Sequence, residues 1–126
     1  MDLAEICSHL SKRRRMYLPD ERYSSAVAFM EGFNIALGGE PLKGFQEWVS
    51  TRIRGGHSSL HWSIIVASVR VPEVLEGGMR LDQVPNDLDG LLTDDLLRML
   101  GDFIGSSNLA AETAGSAGQG HGKVLN

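Results

Sequence analysis

Turn-forming residues cut this chain at short intervals, and the pieces between the cuts carry a helical period. Pro19, Gly38-Gly39, Gly55-Gly56, Pro72 and Gly77-Gly78 mark the cuts. Proline pushes the residue before it out of the α region, and glycine supplies the left-handed exit that ends many helices. In the first piece Leu3, Ile6 and Leu10 fall three and four apart, which predicts a short helix over Asp2 to Leu10. Tyr23, Val27, Met30 and Leu37 predict a clear amphipathic helix over Tyr23 to Leu37, with Ser24 or Ser25 as its cap. Gly32 lies inside it and marks a candidate close helix–helix contact. Pro41 suits the first position of a third helix that carries Leu42, Phe45, Trp48, Val49 and Ile53.

Residues 59–71, SLHWSIIVASVRV, are the ambiguous piece. Its β-branched residues favour a strand, while its length suits a helix equally. A strand needs partners, and only the weak stretch 78–84 offers one, so a buried helix is the better reading. Residues 73–92 read as a connection with at most one helical turn. Thr93 then caps a last helix, with Asp94 and Asp95 against its positive end and Leu96, Leu97, Leu100, Phe103 and Ile104 on its apolar face. Gly105 closes it. The fold expected is a small all-α bundle of four or five helices over residues 1–104. The Gly-rich stretch 105–126, GSSNLAAETAGSAGQGHGKVLN, reads as a disordered tail.

The composition, 42% apolar and 22% charged, is ordinary for a soluble domain. One cysteine, Cys7, excludes an internal disulfide and a Cys-based zinc site, and fits a reducing cytosol. Residues 1–11 lack the continuous apolar run of a signal peptide, and no segment reads as membrane-spanning. The net charge of −4 is unevenly divided. Residues 1–56 hold eight Lys/Arg against seven Asp/Glu, and residues 57–126 hold four against nine.

Two charged segments stand out. The run Lys12, Arg13, Arg14, Arg15 has the chemistry of a phosphate grip, with Tyr17 available to stack on a base. Its simpler reading is a solvated helix end, cations against the negative end of the dipole and paired with Asp20, Glu21 or Glu31. Met16, Tyr17 and Leu18 then pack under the bundle. The second segment is acidic: Asp82, Asp87, Asp89, Asp94, Asp95 and Asp102. Read as a calcium loop, 82–90 fails, because Pro85 and Leu96 fall where carboxylates are required. His57 and His61 share helical spacing, but two ligands do not make a metal site. No nucleophile elbow or phosphate-binding glycine loop occurs, so no reaction and no cofactor is indicated.

The stretches KRRRMYLPDERYSSAVAFMEGFNIAL, GFQEWVSTRI, HWSIIVASVRVPE and LLRMLGDFI together resemble a group of small uncharacterised bacterial proteins. Their pattern is a short helix, an R-P-x-M-Y-L-G-like turn and a helix of the F-x-x-G-Y type. The resemblance covers residues 10 to 104 and implies an all-helical fold and an association with toxin–immunity neighbourhoods. This chain departs from the pattern at Arg14-Arg15, where Pro-Gly is expected, and at Pro19, where Gly is expected. The resemblance implies no catalytic residue.

The functional expectation is a cytoplasmic protein–protein interaction module, in its specific form an immunity-type inhibitor. Asp87, Asp89 and Asp94 would steer it onto a basic protein partner. The alternative is nucleic-acid binding through Arg13, Arg14, Arg15 and Tyr17, with a homodimer doubling the patch.

Overall fold

The computed structural model describes residues 1–118, with side chains described as far as residue 108. Six α-helices follow one another: α1 (Leu3–Lys12), α2 (Arg14–Tyr17), α3 (Tyr23–Ala36), α4 (Phe45–Arg54), α5 (Trp62–Ser68) and α6 (Asn86–Gly118). Two 3-10 segments, Pro72–Glu76 and Leu81–Gln83, carry the chain from α5 to α6. There is no strand among the described residues, so the fold is all-α.

Helix α1 starts on a capping box. The Asp2 carboxylate accepts the Glu5 N–H at 2.9 Å, and Glu5 accepts the Asp2 N–H at 3.2 Å. Leu3, Ile6, Cys7 and Leu10 form its buried face, as their spacing requires. Helix α6 is the hub, since α1, α3, α4 and α5 all pack on it. Its stripe of Leu92, Leu96, Leu97, Leu100 and Phe103 is buried. An aromatic cluster joins α4, α5 and α6: Phe45 lies 5.5 Å from Trp62 and 5.3 Å from Phe103, ring centre to ring centre, and Trp48 lies 5.7 Å from Phe103. Both tryptophans therefore belong to the packing between helices.

Residues 59–71 do contain a helix, shorter than the apolar run. Trp62, Ile65, Val66 and Ala67 are buried in α5, while Val69 is turned out and Val71 returns to the core beyond the helix.

Several boundaries differ from the sequence reading, each for a local reason. Pro41 does not open α4; residues 41–44 form a turn, and Gly44 at φ +87° places the helix start at Phe45. Thr93 does not cap the last helix, because α6 begins seven residues earlier, just after Pro85. Thr93 is fully buried in its interior, and its hydroxyl donates back to the Asp89 carbonyl at 3.1 Å. Gly105 does not close α6, which runs on to Gly118. Residues 105–108 of that extension are exposed, so the helix continues past the point where its core packing ends. The rest of the stretch read as a tail, 119–126, lies outside the described residues.

Gly32 does not mark a close contact, since a methyl group there would meet nothing within 4 Å. Glycine at this exposed helical position costs backbone entropy and gains no packing. Gly32→Ala is therefore expected to stabilise the protein by roughly 0.5–1 kcal/mol, read as a higher midpoint in urea with an unchanged slope; a loss of stability would show that the site is more crowded than described.

Candidate functional site

The two charged segments of the sequence meet in space. Arg13 ends α1, its N–H donating to the His9 carbonyl at 2.7 Å, and the next four residues form α2. The basic run is thus the end of α1 continued into a one-turn knuckle. Arg14 is drawn inward: its Nε donates to the Leu10 carbonyl at 3.1 Å and its Nη2 to Asp94 of α6 at 2.6 Å. Arg15 pairs with Glu21 across the Pro19 turn, Nη2 to Oε2 at 2.7 Å. Tyr17 is half-buried, edge-on to Phe29 at 6.2 Å and tilted against His9 at 5.3 Å, so its ring serves packing. Leu18 is buried. Met16 breaks the expected pattern: it is 72% exposed, directed away from the bundle.

The acidic residues do not form one face. Asp89 is 3% exposed, which corrects its reading as a docking residue, and Asp95 of the same acidic segment is 4% exposed. Helix α3 has no side-chain cap of its own, so neither Ser24 nor Ser25 fills that role. Asp89 fills it from α6, its carboxylate accepting the Tyr23 N–H at 2.7 Å. Its other oxygen lies 3.9 Å from the buried Nε of Arg22. Asp95 receives two guanidinium groups, Arg70 Nε at 2.5 Å and Arg98 Nη2 at 2.8 Å. Asp94 is held by Arg14, Asp102 by Arg52 at 3.0 Å and Asp82 by Arg80 at 3.1 Å. Asp87 alone of the six is exposed with no cation within 4 Å among the described residues.

The cleft between the 18–22 turn and the start of α6 encloses about 570 Å³. Its charges oppose one another: Arg15 and Arg22 face Asp20, Glu21 and Asp89. Burial by itself would raise the Asp95 carboxyl; the hydrogen bonds and charges of Arg70 and Arg98 outweigh it and hold the group below the usual carboxylate range. Tyr23 is moved upward by burial first and by the Asp95 charge second, and its hydroxyl donates to the Ser63 carbonyl at 2.7 Å. Burial also pushes the Cys7 thiol up to about 11, which makes it a poor nucleophile.

One constellation has the order of a hydrolytic triad and escapes the sequence. The Ser63 hydroxyl lies 2.7 Å from His61 Nδ1, and His61 Nε2 lies 3.1 Å from Glu31 of α3. Ser63 is only 3% exposed, and its own backbone N–H also points at Nδ1, at 3.2 Å. The arrangement caps α5 and ties it to α3, with the serine buried in the packing. His57 faces a different carboxylate, Glu47, at 3.2 Å. Among the described residues no group of three or more His, Cys, Asp or Glu side chains converges as a metal site, and no helix is long and apolar enough to cross a membrane.

No protein-family model, curated protein or solved structure matches this chain.

Two expectations follow from the aspartates. Asp89→Ala orphans the Tyr23 N–H and is expected to cost about 1–3 kcal/mol, whereas Asp87→Ala should cost under about 1 kcal/mol; equal losses in chemical denaturation would contradict the capping role. For Asp95 the folded carboxyl titrates below its unfolded value of about 3.9. The stability it contributes is therefore complete above about pH 4 and lost as pH falls through the folded value. Asp95→Asn should lower stability at pH 7 and flatten its decline below pH 4, which thermal melts across pH will show.

Proposed function

We propose that this chain is a protein-binding module. The observation that carries the reading is a set of large apolar side chains left out of the core: Met16 at 72% on α2, Ile35 at 74% on α3 and Val69 at 60% exposure just after α5. Apolar groups held outside a packed core favour association, because water gains when they are covered. The serine with a histidine and a carboxylate in line is buried, which weighs against hydrolytic chemistry. The resemblance to helical proteins of bacterial toxin–immunity neighbourhoods makes an immunity-type inhibitor, acting in the cytoplasm, the specific form of this proposal. The steering role passes from the acidic segment, where Asp89 and Asp95 are buried, to whichever charges remain free.

Nucleic-acid binding is the second reading. Lys12 and Arg13 favour it, because both are exposed and neither has a carboxylate within 4 Å among the described residues. The pairing of Arg14 and Arg15 weighs against it.

Affinity capture from the native host, with and without nuclease, separates the two. A near-stoichiometric protein that survives nuclease is the expected outcome. Nucleic acid in the eluate, with co-purifying proteins lost on nuclease treatment, would replace the first reading by the second.

A further inference from the structure

Resting on the protein-binding reading, we infer that the knuckle Lys12–Met16 is the docking surface, and that its occupant is an acidic protein segment carrying an apolar side chain between its carboxylates. Four observations converge on it. Met16 is 72% exposed, although Tyr17 and Leu18 beside it are turned inward. The knuckle is held by Arg14 on Leu10 and Asp94, by Arg15 on Glu21 and by the Leu18 N–H on the Arg14 carbonyl at 3.0 Å. Its first two residues, Lys12 and Arg13, carry charge that no carboxylate within 4 Å neutralises among the described residues. A shallow groove of about 440 Å³, running from Ser11 to Glu21, passes along Lys12, Arg13, Arg15 and Met16.

Charge complementarity and the methionine together select the occupant. Arg14 and Arg15 each face a carboxylate of the chain, Arg15 at the exposed surface, which leaves a surplus of two cations in a groove that also holds one flexible, polarisable apolar side chain. Methionine adapts to varied apolar partners and recurs at protein-binding surfaces. A nucleic-acid backbone matches the two cations but offers Met16 nothing to cover it. Two phosphate contacts also give only a shallow salt dependence, a slope of about −1.4 for a single strand. A segment with two Asp or Glu residues around a Leu or Phe satisfies all three side chains at once, its carboxylates steering and orienting it.

The test uses the full chain as bait for a displayed random-peptide library, alongside a fluorescein-labelled single-stranded DNA 12-mer. Selected peptides are expected to carry at least two acidic residues around an apolar one. Their affinity should fall by roughly tenfold or more in the variant K12E/R13E and fall again with Met16→Ser. The control K43E/R54E, which changes net charge equally at two exposed sites, should leave it unchanged. Thermal melts establish that each variant is folded. Peptides that bind but are indifferent to these changes would overturn the docking surface and leave the protein-binding reading intact. A selection that enriches no peptide overturns both, and DNA binding lost in K12E/R13E would then return the function to nucleic acid.

Discussion

Asp89 carries a constraint on which much of the bundle depends. A helix that starts inside a protein must satisfy its first N–H groups, and nothing in Arg22-Tyr23-Ser24 does so for α3. The carboxylate comes from 66 residues away, on the first turn of α6, and reaches the Tyr23 N–H. Because Tyr23 is itself fully buried and its hydroxyl is tied to α5, this one contact sets α3, α5 and α6 relative to one another. The start of α6 must therefore reach Asn86, well before the leucine stripe that makes it look like a helix.

The same economy governs the other charges. Acidic residues that a reading of composition would place on a docking face are consumed by arginines: Asp94 by Arg14, Asp95 by Arg70 and Arg98, Asp102 by Arg52. Arg14 brings one member of the basic run onto α6, Arg52 and Arg70 tie α4 and the end of α5 to it, and Arg98 pairs within α6 itself. The exposed pairs among them, such as Arg52 with Asp102, add little stability one by one. What they do here is orient: Arg14 ties α2 to α6 and Arg15 ties it to Glu21 across the turn, while Met16 of α2 stays in solvent.

Helix period is legible in the sequence because it is local. Leu3, Ile6 and Leu10 recur on one face, as do Leu92, Leu96 and Leu100, and the paired glycines after α3 and α4 do end them, with Gly38, Gly39 and Gly55 all at positive φ. The choice of helix over strand for 59–71 was also legible, since a single strand would have had nothing to pair with. Long-range satisfaction of polar groups is not legible. No spacing rule announces that Asp89 caps α3, that Arg14 meets Asp94, or that His61 joins Ser63 to Glu31. Arg98 was within reach, three residues after Asp95 on the same helix. The exposure of Met16 was not, because an apolar residue beside Tyr17 and Leu18 reads as core until the one-turn geometry of α2 separates them.

The most direct measurement is native-state hydrogen exchange at the Tyr23 amide. First-turn amides have no partner within their own helix and exchange by local fraying. With Asp89 holding it, the Tyr23 N–H should instead exchange as slowly as the interior amides of α6, and become fast in Asp89→Ala while those interior amides stay protected. A Tyr23 amide that exchanges fast in the unaltered protein would show that the buried carboxylate does not cap α3, and would return Asp89 to the candidates for binding.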